Sequence, residues 1–204
     1  MEYAPYGVII ISYLLGSISF SYLMGRLVAG IDIRHHGSGN AGATNTLRLL
    51  GVGPALVVLL LDLFKGSLAV VMAKGVSSDP LWAVLAGLAA VIGHNWPIFF
   101  GFKGGKGVAT TIGVVAVLFL SPALVAGMIA IVIIVLFRYV SLGSLVFVLL
   151  LPVAIVLFNQ WGWGEYPTAF LYGSIALALL VWWRHRANIV RLVKGTENKL
   201  GGKR

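Results

Sequence analysis

The sequence predicts an all-α, polytopic integral membrane protein with seven transmembrane helices, its amino terminus outside and its carboxyl terminus in the cytoplasm. Three observations predict it. Hydrophobic residues make up 59% of the 204 positions and charged residues 10%, with a mean hydropathy of +0.98, far from the balance of a soluble domain. Seven apolar stretches follow one another along the chain. The fifteen Lys and Arg, set against six Asp and Glu, sort almost entirely to one side of those stretches. With no Ser-rich or Pro-rich linker, convincing internal repeat or soluble segment, residues 1–204 are read as one integral membrane domain.

The first stretch, 6–25, has only Glu2 as a charge before it. It lacks the basic leader and small-residue cleavage site of a secretory signal and is read as a retained helix. The stretches 52–73 and 81–100 match the roughly 20 residues that a spanning helix needs. The next three, 108–120, 123–137 and 142–158, are shorter and divided by Ser121-Pro122 and Arg138-Tyr139. Joining 108–120 to 123–137 would place Pro122 inside a helix of about 30 residues, and proline starts or breaks helices, so the two are kept apart. The last stretch, 166–183, ranks with the first three as the strongest. On this count segments 26–50, 101–107, 138–141 and 184–204 share one side and hold 13 of the 15 Lys and Arg, which makes that side cytoplasmic.

Three cytoplasmic segments hold most of the unusual residues. The first, Gly37-Ser38-Gly39-Asn40-Ala41-Gly42-Ala43-Thr44-Asn45-Thr46-Leu47-Arg48, reads as a loop. Its glycines let backbone amides approach a ligand, Ser38, Asn40, Thr44 and Asn45 add short hydrogen-bonding groups, and Arg48 adds a bidentate cation, a combination suited to an oxyanion. Gly37, Gly39 and Gly42 satisfy G-x-G-x-x-G, but no strand precedes them, so a dinucleotide site is rejected. The second segment runs from Gly93-His94-Asn95-Trp96-Pro97 to Gly101-Phe102-Lys103-Gly104-Gly105-Lys106-Gly107-Val108-Ala109-Thr110-Thr111. Glycines, lysines and a helix start make a second phosphate loop. It is not a Walker A sequence, because Phe100 stands where the first glycine is required and Gly107 where Ser or Thr must follow the lysine. In the third, Arg184-His185-Arg186-Ala187-Asn188 through Arg191 to Glu197, a helix continued from the last span would point His185 and Asn188 the same way within a cationic strip.

Each feature also has an ordinary explanation. Arg186, Lys194, Lys199, Lys203 and Arg204 fit a lipid-anchoring basic tail. Lipid anchoring requires neither His185 nor Asn188. Gly16, Gly51, Gly53, Gly87 and Gly113 fit close helix packing. His94, beside Trp96 near a membrane end, is equally a site wall or an interfacial residue. Asp62 and Lys65, three apart inside the second span, form an ion pair on the simplest reading and support the site on the other. His35 and His36 lack the further ligands a metal would need, so no metal and no cofactor is expected. The absence of cysteine excludes disulfides and thiolate nucleophiles. Nor is a nucleic-acid partner expected. Two anion loops at a membrane surface suggest a reaction between a soluble phosphorylated molecule and a lipid that bears or releases phosphate.

The strings 37–45 with Arg48, 93–110, and Arg184-His185-Arg186-x-Asn188-Ile189 resemble, in order and placement, the three motifs of the bacterial acyl-phosphate:glycerol-3-phosphate acyltransferase family. Leu15-Gly16-Ser17-Ile18 and 62–66 extend the resemblance over nearly the whole chain. It implies seven helices in the bacterial cytoplasmic (inner) membrane with the motifs facing the cytoplasm. It also implies acyl transfer from a fatty acyl phosphate to the 1-hydroxyl of glycerol 3-phosphate, yielding lysophosphatidic acid and inorganic phosphate. His185 and Asn188 match residues the family needs for catalysis, loop 101–107 with Lys106 matches its glycerol 3-phosphate site assisted by Arg48 and Ser38, and Glu197 matches a carboxylate taken as structural. The candidate catalytic residues are therefore His185, Asn188, Ser38 and Arg48. The candidate substrate-binding residues are Gly37, Gly39, Asn40, Thr44, Asn45, His94, Gly101, Lys103, Gly104, Gly105, Lys106, Gly107 and Thr110.

An acyl phosphate already carries a good leaving group, so the protein need only align two mutually repelling anions and stabilise charge developing at the carbonyl. The hydroxyl proton could pass to His185, whose unperturbed pKa is about 6.5, or to a phosphate oxygen of the donor. No histidine is followed five residues later by aspartate, the pair common in acyltransferases that use acyl-CoA or acyl-carrier protein. The alternative is a membrane transporter of a phosphorylated metabolite. Such proteins bind near the midplane, often between repeated halves, whereas here the polar residues gather at one surface.

Overall fold

A computed structural model describes residues 3–201; Met1, Glu2, Gly202, Lys203 and Arg204 lie outside the described residues. All regular structure among the described residues is helical. The α-helices are α1 (Ala4–Gly16), α2 (Phe20–Ala29), α3 (Ala43–Leu50), α4 (Val52–Val76), α5 (Pro80–Asn95), α6 (Val108–Leu118), α7 (Leu120–Phe137), α8 (Val140–Gln160), α9 (Thr168–Arg184) and α10 (Arg186–Val193). Packing divides the chain into two compact units, one ending at Leu118 and the other beginning at Phe119.

Five helical segments are long and apolar enough to cross a membrane: Ala4–Ala29, Val52–Val76, Pro80–Phe100, Leu120–Phe137 and Val140–Gln160. Two apolar helices, Val108–Leu118 and Thr168–Arg184, are shorter. Each of the seven apolar stretches falls on one of these. Their ranking differs from the one expected. The stretches around 123–137 and 142–158 are full-length helices of 18 and 21 residues, whereas the last, ranked among the strongest, forms a helix of 17. Pro167, extended at its N-cap, and the turn at His185 set its ends. Ser121 and Pro122 lie in the first turn of α7, where proline's missing N–H costs nothing, and the helical break falls one step earlier, at Phe119.

The first unit is assembled by close backbone approaches, which matter in lipid because little hydrophobic force drives one apolar helix against another. A Cβ on Gly16 would run into the Ala90 carbonyl, and one on Gly93 into the Tyr13 carbonyl, so α1 and α5 touch backbone to backbone. Gly66 and Gly113 do the same for α4 and α6, against the carbonyls of Thr110 and Leu63. The packing reading thus holds for Gly16, Gly87 and Gly113 but not for Gly51 and Gly53, which face open space. Polar bonds add to these contacts: Ser67 Oγ donates to Gly113 O at 2.9 Å, and Tyr13 Oη to Trp96 O at 2.9 Å.

The first predicted span is not one continuous helix. It breaks at 17–19, where Ser17 N–H and Oγ both bond to Tyr13 O and the Ile18 carbonyl leaves the helical ladder. In the second unit, α8 packs on α7 and α9. Gly143 meets Ile134 and the Ala130 carbonyl, and Trp182 Nε1 donates to Leu145 O at 3.3 Å.

Candidate functional site

In the first unit, Asp32 starts the construction of the site. Its Oδ1 accepts the Arg34 N–H at 3.0 Å, capping the 3-10 turn Ile33–His35, and its carboxylate takes the Arg34 guanidinium at 2.8 to 3.3 Å. Those side-chain hydrogen bonds outweigh burial and hold the Asp32 carboxyl down at about 2. Arg34 in turn donates through Nη1 to Phe100 O at 2.7 Å and lies 4.9 Å from the Tyr22 ring. One guanidinium therefore ties the start of the first polar segment to the residue preceding loop 101–107, a link that nothing in the sequence signalled.

The first segment is only half a loop. From Ala43 onward it is helix α3, so Thr44, Asn45 and Arg48, expected on a loop, sit on a helix that begins after Gly42. The Gly37, Ser38 and Gly39 turn is exposed, with Gly37 in the left-handed region at φ 62°. Asn45 holds this turn from below and is itself buried. Its Oδ1 accepts the Ser38 N–H at 2.9 Å, and its Nδ2 donates to Ile33 O and His36 O at 3.1 Å each. The Asn45 side chain is thus spent on shaping the loop. Arg48 is exposed and Asn40 half-buried.

The second loop seats itself on the end of α5. Gly105 N–H donates to His94 O at 3.1 Å. A Cβ on Gly104 would strike the His94 carbonyl, and one on Gly105 would strike both the His94 ring and the Ala41 carbonyl, so the two polar segments meet at Ala41 and Gly105. Gly107, at φ 80°, turns the chain into α6 beside the Asn95 side chain. Gly101 and Lys103 are exposed, and Lys106 is half-buried. Thr110 is fully buried against Gly66 of α4 and belongs to the helix crossing rather than to the loop surface.

Beneath the loops, Asp62 Oδ1 lies 2.8 Å from Lys65 Nζ, as the ion-pair reading expected, and 3.4 Å from His94 Nδ1. Lys65 Nζ also donates to Ile18 O at 2.8 Å.

The second unit holds the remaining candidates. The helix does not run unbroken past the last span, because His185 is a one-residue turn between α9 and α10. The ladder still brackets it: His185 N–H bonds to Val181 O, and Ile189 N–H to His185 O. His185 is 3% exposed, and its Nδ1 lies 2.8 Å from Val181 O. A carbonyl can only accept, so Nδ1 carries the proton and Nε2 is the basic nitrogen of the neutral ring. Asn188, 5% exposed, donates to Glu197 Oε1 at 2.6 Å. Glu197 also accepts from Ser141 Oγ at 2.8 Å and Arg191 Nε at 2.7 Å. Burial raises the Glu197 carboxyl, but these three hydrogen bonds prevail and hold it below its ordinary value. The tail is fastened further along, where Leu200 N–H bonds Arg138 O and the Arg138 guanidinium bonds Leu200 O.

The glycerol-3-phosphate acyltransferase family model matches residues 6–195. The chain belongs to the glycerol-3-phosphate acyltransferase family. Among its relatives, the glycerol-3-phosphate acyltransferase of Halalkalibacterium halodurans is 58% identical over 195 residues, covering 95% of this chain and 94% of that one. The glycerol-3-phosphate acyltransferase of Shouchella clausii is 55% identical over 197 residues, covering 96% and 95%. The crystal structure of PlsY, an integral membrane glycerol 3-phosphate acyltransferase, in its glycerol 3-phosphate form is 40% identical, with a TM-score of 0.87 over 97% of this chain and 96% of that one. Its lysophosphatidic acid form gives a TM-score of 0.85. Membership of this family makes the chain an integral membrane acyltransferase.

Proposed function

We propose that this chain transfers a fatty acyl group from acyl phosphate to the 1-hydroxyl of glycerol 3-phosphate, giving lysophosphatidic acid and inorganic phosphate, the first acylation of bacterial phospholipid synthesis. The observation that carries the reading is the meeting of two glycine-rich segments at Ala41 and Gly105, one leading into helix α6 with Lys103 and Lys106, the other into helix α3 with Arg48. Free amides at a helix start and nearby cations are what a phosphomonoester needs. In this reading Ser38, Arg48, Lys103 and Lys106 bind the phosphate of glycerol 3-phosphate, while Asn45 and Asn40 shape the first loop.

The hydroxyl oxygen attacks the acyl carbon, the acyl carbon–oxygen bond to phosphate breaks, and inorganic phosphate departs. His185 takes the hydroxyl proton at Nε2, the role its bond to Val181 prepares. Asn188, oriented by Glu197, stabilises charge at the reacting centre. The acyl chain of the donor stays in the surrounding membrane lipid.

Residues 1–204 act as one acyltransferase domain of the bacterial cytoplasmic membrane. Seven helices cross it, with the amino terminus outside and both the carboxyl terminus and the site on the cytoplasmic side. The sorting of 13 of 15 Lys and Arg to that side supports this topology. Helices α6 and α9 fall short of about 20 residues, a mismatch that local thinning and flanking cations such as Arg184 and Arg186 accommodate.

The test is phosphate release by the purified protein in lipid, given palmitoyl phosphate with and without glycerol 3-phosphate, beside a His185→Ala control. Release that requires glycerol 3-phosphate, yields lysophosphatidic acid and vanishes in the control is expected. Turnover with acyl-CoA alone would overturn the donor, and vesicle uptake of glycerol 3-phosphate without product would make the chain a transporter.

A further inference from the structure

We infer that Asp62 is a positioning residue that acts through His94 to hold loop 104–107 in its phosphate-binding shape, an inference that rests on the function proposed above. Asp62 and Lys65 are 1% and 0% exposed inside a membrane-crossing helix. Ionised groups there are costly, and an apolar pair would pack at least as well. If they served only each other, their contacts would end at the 2.8 Å ion pair.

They do not end there. Lys65 Nζ reaches the Ile18 carbonyl that the break between α1 and α2 has released. On the other side Asp62 Oδ1 faces His94 Nδ1 at 3.4 Å. The two atoms face each other at ion-pair distance without hydrogen-bond geometry, and the Nε2 edge of the ring is the one against Gly105. The His94 carbonyl accepts the Gly105 N–H, and the next residue, Asn95, lies against Gly104 and Gly107. A Cβ at Gly104, Gly105 or Gly107 would collide with His94 or Asn95. The loop is therefore moulded on these two residues, and the ring that forms part of the mould is aimed from behind by Asp62. His94, expected to bind substrate, supports the residues that do.

Such a support acts on binding of glycerol 3-phosphate more than on the transfer step. Asp62→Leu/Lys65→Met removes both charges together, leaving no unpaired ion, while Asp62→Asn/Lys65→Met keeps an acceptor oxygen for His94. For the Leu/Met variant we expect KM for glycerol 3-phosphate to rise at least about tenfold with kcat within about threefold. Hydrogen exchange of the 101–108 peptide should accelerate about tenfold or more, that of 120–137 staying unchanged. The Asn/Met variant should keep both quantities within about threefold of wild type.

Unchanged KM and exchange in the Leu/Met variant would overturn the inference, as would equal defects in both variants or a fall in kcat alone. Should neither double variant fold, His94→Asn decides, since it keeps an N–H for Asp62 but withdraws the ring from Gly105. An unchanged KM there overturns the proposal, and a rise of about tenfold sustains it. Failure of the wild type to turn over glycerol 3-phosphate would sink the proposed function alone, because hydrogen exchange reads the loop without substrate.

Discussion

The Nδ1 atom of His185 lies 2.8 Å from the carbonyl oxygen of Val181, one helical turn earlier. This bond fixes both the tautomer and the tilt of a ring that is 3% exposed at the turn between two helices. Asparagine at 185 can reproduce the N–H donated to Val181 but offers no basic nitrogen. His185→Asn should therefore fold normally and lose about 10²- to 10⁴-fold in turnover. Phosphate-release kinetics beside a thermal melt check this. Retention of more than about a tenth of wild-type turnover would pass the proton to the donor phosphate.

Glu197 accepts hydrogen bonds from Ser141, Asn188 and Arg191, and a neutral amide cannot satisfy all three donors. Glu197→Gln should cost about 1–3 kcal/mol of stability near neutral pH. Because the folded-state carboxyl lies below its ordinary value of 4.5, its contribution is complete above that value and fades as pH falls below it. Asp32, held at about 2 against an ordinary 3.8, follows the same sign in a lower window. Melts followed by tryptophan fluorescence should show the gap between wild type and Glu197→Gln narrowing as the solution is acidified from neutral through 4.5; a constant gap would contradict the assignment.

Lys106 sits half-buried in the second loop, whereas Lys194 is exposed at the end of α10. Lys106→Ala should raise KM for glycerol 3-phosphate by about 10- to 100-fold, as expected for loss of a charged hydrogen bond. Lys194→Ala should stay within about twofold, the limit for a lipid-facing anchor of modest worth. Equal effects would reduce both to a general basic surface.

Gly66 packs on the Thr110 carbonyl, and Gly53, in the first turn of α4, faces open space. Gly66→Ala forces α4 and α6 apart and should cost about 1–3 kcal/mol. Gly53→Ala should be neutral or stabilising by up to about 1 kcal/mol, because alanine loses less conformational freedom in a helix. Thermal midpoints of the two variants in the same lipid separate these outcomes.

The seven apolar stretches and the polar strings 37–48, 101–107 and 184–191 were legible because each is local: runs of apolar residues must leave water, and clustered Gly, Lys and Asn have little use inside lipid. Helix α3 escaped notice, since its eight residues carry Thr and Asn and begin directly after a glycine turn. The stretches 123–137 and 142–158 read too short because hydropathy alone does not see that helices start directly after Phe119 and Tyr139.

By itself the sequence determined membrane residence, helical class, the sorting of charge and the motifs that mark the family. Tertiary structure alone decided that Asn45 turns inward, that Arg34 reaches Phe100, that Asp62 faces His94 and that Glu197 gathers Ser141, Asn188 and Arg191. Hydropathy is a property of each residue and its near neighbours. These contacts, several of them joining residues 32 to 66 apart in the chain, exist only once packed helices bring the partners within 3.5 Å.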